Sequence, residues 1–245
     1  GSRCSCHSKY LDCSVWTETI QRIVSKTGDT SIRDNPLKGF DMSFLRDQDF
    51  FAKGRTLDRI RKWLLLSAPE ASTRGIQNAS SLVNNWNVID VLSEVLGAEY
   101  IVDSSKDVFR LFHFLRYRPN DVKVVVNVRS PFGVVNSYRK QGRSATVVIK
   151  HWLRYYQSVI RVLEKFGIDP FLVNYGSLCE DPIGARRSVL RSLDIADDGL
   201  DEVIINQGQH HMALGNGMRF KDGIRIRADD AWRELFPLED KRLVT

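Results

Sequence analysis

No apolar run in the 245 residues approaches the roughly 20 needed to span a bilayer. No hydrophobic stretch follows the N-terminus as it would in a secretory leader, so neither an anchor nor a membrane partner is expected. Internal repeats and low-complexity tracts are absent, which excludes solenoid arrays. A concentrated basic patch is missing too. The 36 Lys and Arg and 30 Asp and Glu give a net charge of +6, spread along the chain. That excess suits a small anionic ligand better than a nucleic acid, which is not an expected partner. Cysteine is confined to Cys4, Cys6, Cys13 and Cys179. The first three form C-x-C-x6-C, and three readings stay open for them: a zinc site with His7 as fourth ligand, a disulfide from Cys4 or Cys6 to Cys13, or reduced thiols packed near a helix start. A cytoplasmic location is the expectation. With 42% hydrophobic and 27% charged residues, the chain can bury a sizeable core, and a single domain over 1–245 is expected.

What is there is a sequence of alternating periods. Val15 to Val24 reads as a short amphipathic helix through Trp16 and Ile20. Residues 58–66 look helical, as does Leu82 to Leu96, which ends at Gly97. Tyr100-Ile-Val102 is a short apolar run, read as a strand, and helical spacing follows through Val108, Leu111, Phe112 and Leu115. Lys123 to Val128 is a β-branched strand, followed by Arg129-Ser130-Pro131 and a helix carrying Val134, Val135 and Tyr138. Ala145 to Phe166 is a long helix closed by Gly167, Pro170 to Tyr175 a third strand, and Pro182 to Leu193 a further helix.

Strand and helix in alternation give an α/β fold, a parallel sheet in three layers with helices on both faces. Ligands in such sheets bind beyond the carboxyl ends of the strands. Those ends deliver Asp103-Ser104-Ser105-Lys106, Arg129-Ser130 and Tyr175-Gly176. An Arg fork at Arg129 and a hydroxyl at Ser137, both near a helix N-terminal region, make a phosphate cradle, and Pro131 fits the first helical position. The competing reading is an Arg in a structural ion pair and an ordinary helix Ser. Asp103 likewise reads as a helix cap or structural ion pair as well as a candidate base.

Val128-Arg129-Ser130-Pro131 through Ser137-Tyr138 resembles the 3′-phosphate segment of sulfotransferases that use the donor PAPS. Ile101 to Lys106 resembles a strand and loop of the bacterial and carbohydrate branch of that family. Val173-Asn174-Tyr175, with Leu178 and Asp181-Pro182, is similar to its strand-Tyr-x-x-Leu-x-x-x-Pro element. Cys4, Cys6, Cys13 and Trp16 are similar to a Cys-x-Cys…Cys-x-x-Trp stretch of bacterial members. His211, Gly215, Asn216, Arg219 and Phe220, then Asp230 and Trp232, resemble the C-terminal segment that closes over the cofactor. The matches run in the family's order over nearly the whole chain.

The resemblance implies a P-loop-NTPase-like sulfotransferase fold and the co-substrate PAPS, with PAP as product and no metal required. Arg129 and Ser137 would hold the 3′-phosphate, Arg219 and Lys221 would close over it, and Tyr175 would lie near the adenine. Lys106 would neutralise the transferring sulfuryl group. Ser105 stands roughly where some members carry a His, which leaves the base open among Asp103, His113, His151, His210 and His211. The acceptor would be a small molecule or carbohydrate, selected by residues 25–80 and 138–150. One departure is expected to matter. The family's N-terminal strand and 5′-phosphosulfate loop have no room before Cys4, and Ser25-Lys-Thr-Gly-Asp-Thr-Ser31 imitates that loop as a decoy after a helix. Two other functions fit the same pattern: a kinase-like nucleotide-binding protein, weakened by the missing Gly-x4-Gly-Lys-[Ser/Thr] motif, and a non-catalytic module binding PAP or another anion.

Overall fold

The computed structural model describes residues 3–34, 79–197, 199, 204–205, 210–212, 220–221, 223–228 and 232–235. The helix expected over 58–66, the residue Arg219 and most of the expected acceptor region at 25–80 lie outside them. The chain divides into two compact units, one of Gly1–Asp47, Arg55–Phe114 and Ile205–Ile224, the other of Gln48–Gly54, Leu115–Ile204 and Arg225–Thr245. No helix among the described residues is long and apolar enough to cross a membrane.

The first unit opens on a loop pinned by an antiparallel bridge between Arg3 and Lys9 and by a 3-10 turn at Tyr10–Asp12. Helix α1, Ser14–Thr27, buries Trp16, Thr19, Ile20, Ile23 and Val24. These sit at the i, i+3, i+4, i+7, i+8 spacing that gives one apolar stripe. That stripe packs with Val88 and Val91 of α3, Ala79–Leu96, and with Ile32 of the short helix α2, Ser31–Asp34. Gly28 ends α1 in the left-handed region at φ 71°, its N–H bonded to the Val24 carbonyl. The Asp29 N–H is taken by the Thr27 hydroxyl at 3.2 Å. The Ser25–Ser31 segment is therefore a helix terminus, and these two amides are already used inside the chain. Helix α4, Val108–Tyr117, starts in this unit, capped by Asp107, whose carboxylate accepts from the Phe109 and Arg110 amides at 2.9 and 3.2 Å.

The second unit holds a parallel strand pair. Strands β1, Val125–Val128, and β2, Phe171–Asn174, align Val125 with Phe171 and Val128 with Asn174. Parallel neighbours need a crossover, and here it contains α5, Pro131–Arg139, and α6, Ala145–Phe166. The two helices pack through Val135, Ala145 and Val148, with Phe132, Val134, Tyr138 and Ile149 around them. Trp232, of the short helix Trp232–Leu235, stacks flat on Phe132 with ring centres 5.3 Å apart. The ends of α6 fall where the sequence sets them: the Ser144 hydroxyl accepts from the Val147 amide, and Gly167 takes φ 62°.

This is α/β architecture with two corrections to the sequence reading. Tyr100–Val102 is not a strand: Val102 is 88% exposed and Tyr100 45%. Among the described residues no strand pairs with this segment, and side chains so exposed pack on no sheet. The strand read as far as Tyr175 ends at Asn174, whose side chain accepts from the Gly176 and Ser177 amides at 2.8 and 3.3 Å. That cap turns the chain directly into α7, Tyr175–Glu180, followed by α8, Pro182–Ser192.

A candidate anion site and a cysteine–histidine cluster

At the exit of β1 the chain passes through Arg129 and Ser130 into α5. Ser130 places no side-chain cap on the helix, and Pro131 stands at its first position. The first amides of a helix have no acceptor within it. The Phe132 and Gly133 N–H groups thus form a positive end of the kind that receives anions. Arg129 adds its charge there. A Cβ built on Gly133 would come within 2.8 Å of Arg129 Nε and 3.3 Å of its Cζ. The guanidinium therefore lies against the first turn of α5, in the space that a glycine leaves.

The register of β1 with β2 brings the next residue of each strand alongside the other. Arg129 Cζ sits 4.6 Å from the centre of the Tyr175 ring, a cation–π contact that holds the fork between ring and helix. Tyr156 of α6 fixes the strand exit by donating from its hydroxyl to the Asn127 carbonyl at 2.9 Å. Burial raises the Tyr156 phenol, and a hydrogen bond from the Arg129 backbone opposes the rise. Ser137, half-buried, lies one helical turn beyond Gly133 and so on the same face of α5. Asn136, three residues from Gly133, shares that side, and its Nδ2 is buried without a hydrogen-bond partner among the described residues. Sequence reading passed over Asn136 and Gly133. The signal was available, because both fall at helical spacing from each other, immediately after Arg129.

The other expected residues are placed as follows. Asp103, Ser105 and Lys106 are exposed, on the loop before α4. Asp103 is committed to Arg110, with Oδ2 2.5 Å from Nε, and its Oδ1 accepts from the Ser105 amide at 2.8 Å. Lys106 adopts φ 59°, a left-handed turn before the Asp107 cap. Lys221 is exposed. The structure brings Arg129, Ser137 and Tyr175 to one strand exit and its following helix; Asp103, Ser105 and Lys106 form a separate stretch. Of the histidines, His113 is buried and His151 half-buried.

His211 has a different setting. Cys4, Cys6, Cys13 and His211 present one donor atom each, all within 4.8 Å of one another. His211 Nδ1 lies 3.2 Å from Cys13 Sγ and 3.8 Å from Cys4 Sγ. None of the cysteines is in a disulfide, so the disulfide alternative is not the arrangement found. His7 is not the fourth member of the group. It occupies the turn at φ 68°, its ring centre 5.7 Å from that of Phe220. Burial raises Cys4 to about 11. Burial acts in the same sense on Cys6, but hydrogen bonds from Ser8, Cys4 and Cys13 outweigh it and bring that thiol down to about 6. Tyr10, buried beside them, is raised by burial and then by the charges of Cys4 and Cys13.

Compared with protein-family models, with curated proteins and with solved structures, the chain finds no match in any of the three.

Proposed function

We propose that the chain is a sulfotransferase domain, moving a sulfuryl group from PAPS to a hydroxyl or amine acceptor. The observation that carries this reading is the Arg129 guanidinium laid against the uncapped first turn of α5, at the end of a parallel strand, with Tyr175 beside it. An arginine fork joined to helix amides recognises a doubly charged, tetrahedral oxyanion. An aromatic ring on the neighbouring strand end supplies a surface for a purine. A phosphorylated nucleotide matches that pairing, and PAPS carries its 3′-phosphate next to its adenosine.

In this reading Arg129, Ser137 and the Phe132 and Gly133 amides hold the 3′-phosphate, and Asn136 is an added donor. Tyr175 lies by the adenine. The acceptor oxygen or nitrogen bonds to sulfur as the bond from sulfur to the 5′-phosphate oxygen breaks; PAP leaves, and the acceptor proton passes to a base or solvent. Placement and charge stabilisation supply most of the acceleration in such transfers. The parallel pair β1–β2 would be part of a larger three-layer sheet of the P-loop type.

Calorimetric titration with PAP tests the reading. Micromolar binding is expected, and a chain that ignores PAP would remove its support. Gly133→Ala gives a second handle. Its methyl needs the space that Arg129 Nε holds at 2.8 Å, while in the first turn of a helix alanine gains only part of the ~1 kcal/mol that it has over glycine in a helix interior. The fold should be as stable as before or more so, and PAP affinity should fall by roughly fivefold, the equivalent of ~1 kcal/mol. Thermal unfolding and the same titration, run side by side, check both signs.

A further inference from the structure

We propose that Cys4, Cys6, Cys13 and His211 bind one Zn²⁺ ion as a closed, structural site. The donor set is the first argument. Three thiols and an imidazole are a known tetrahedral zinc set, with Zn–S near 2.3 Å and Zn–N near 2.0 Å, which puts ligand atoms about 3.5–3.8 Å apart. The two separations at His211 Nδ1, 3.2 and 3.8 Å, bracket that range. A spread of no more than 4.8 Å among all four atoms leaves room for one ion. Two bridged irons would hold their ligands farther apart.

Hydrogen bonding alone does not account for the convergence. A neutral imidazole nitrogen is a single acceptor or a single donor, and two sulfur atoms already crowd Nδ1. The third thiol, Cys6, brings one more sulfur into the same cluster. Cys4 and Cys13 are 0% and 1% exposed, so water cannot relieve the crowding. One dication satisfies all four donors, with Nδ1 of His211 as ligand and the ring proton on Nε2.

The backbone is built to deliver His211 from 198 residues away. The Ser5 N–H donates to the Met212 carbonyl at 3.1 Å, and the Met212 N–H donates to the Ser5 hydroxyl oxygen at 2.9 Å. The Ser5 hydroxyl donates to the His210 carbonyl, and Trp16 Nε1 donates to the His211 carbonyl at 2.8 Å. Both neighbours of His211 are thus tied to the C-x-C loop, and His211 itself is tied to α1. On the other side, the Cys4 N–H donates to the Ser8 carbonyl at 3.0 Å and the His7 N–H to the Cys4 carbonyl at 2.9 Å, curling the loop so that Cys4 and Cys6 face inward together. Outer contacts of this kind orient ligands in metal sites. Cys4 and Cys13 belong to the cluster that packs α1 against α3. The ion would therefore lock residues 210–212 to the N-terminal core of this unit, a structural task with no open coordination position.

Metal analysis of the protein purified without chelator, thiols kept reduced, should find one zinc per chain, close to stoichiometric. Replacement by Co²⁺ should give the sulfur-to-cobalt charge-transfer band and strong visible bands of a tetrahedral thiolate site. His211→Ala and Cys13→Ser should lose the metal, while His7→Ala keeps it. Should His211→Ala or Cys13→Ser fail to fold, X-ray absorption on the unaltered protein decides, with three sulfurs and one nitrogen expected. Reduced protein that takes up neither zinc nor cobalt overturns the site. So does loss of metal in His7→Ala with retention in His211→Ala, or a shell with no nitrogen. Metal content and PAP binding are separate readouts, so either can fail without the other.

Discussion

Phe112→Ala is expected to lower the free energy of unfolding by about 3–5 kcal/mol, the range for truncating a fully buried aromatic. Phe112 is 1% exposed and is the largest fully buried side chain among the described residues. It lies on α4 between Phe109 and Leu115, which are 7% and 0% exposed, at three-residue intervals. His113, also buried, meets its ring edge-on with centres 5.5 Å apart. Removing a ring so fully kept from solvent leaves a cavity behind, and that cavity sets the size of the loss. Val102→Ala, on the loop before the same helix, is the control. At 88% exposure that substitution should stay within about 0.5 kcal/mol of the parent. Urea unfolding of the two variants measures the contrast. A Phe112→Ala loss as small as that of Val102→Ala would mean that α4 is not packed as described.

The elements that were legible in the sequence share a physical feature: their boundaries are set by local chemistry. Helix α6 combines a long amphipathic run with Ser144 before it and Gly167 after it, and both termini fall where those residues put them. Helix α1 is legible through its apolar stripe, but the stripe reads as ending at Val24, whereas the helix runs on to Thr27 and closes at Gly28. Strand β1 stands out because a β-branched run is interrupted by Arg129 and then by Pro131. What misled was a short apolar segment without such marks. Tyr100–Val102 has the composition of a strand, but a strand exists only when another pairs with it. Helix α7 was hidden for a related reason. Asn174 ends one element and caps the next, so Tyr175 reads as the last residue of a strand and the five residues after it suggest no element.

The candidate sites divide along the same line. Arg129, Ser137 and Pro131 lie within nine residues, and a spacing argument can group them. Tyr175 joins them through the β1–β2 register; alternation of strand and helix foretold parallel strands but not that pairing. The fourth member of the cysteine cluster was beyond such reasoning. His7 is adjacent in sequence and carries the right ring, yet the turn at φ 68° takes it out of the group. His211 enters because Ser5, Trp16 and Met212 make long-range hydrogen bonds that no local pattern encodes. Asp103 went the other way. It was readable as a base or as an ion-pair member, and Arg110, seven residues on, engages it.

Arg129→Ala is expected to weaken PAP binding by about 1.5–3 kcal/mol, the range for a hydrogen bond to a charged group. A bare loss would not separate recognition from damage, because the same side chain stacks on Tyr175 and rests against α5. The ligand supplies the missing control. Adenosine 5′-monophosphate has the base and the 5′-phosphate of PAP but not the 3′-phosphate. If Arg129 meets the 3′-phosphate, the unaltered protein binds the monophosphate weakly, and Arg129→Ala hardly changes that affinity, so the coupling falls on one phosphate. Arg129→Lys keeps the charge but not the planar fork that binds two oxygens at once, so it should recover only part of the lost PAP affinity. Higher salt should shrink the gap between Lys and Ala, since what remains is a point charge open to screening. Equal losses for PAP and the monophosphate would assign Arg129 to holding the strand exit in shape, and the phosphate would have to be sought elsewhere.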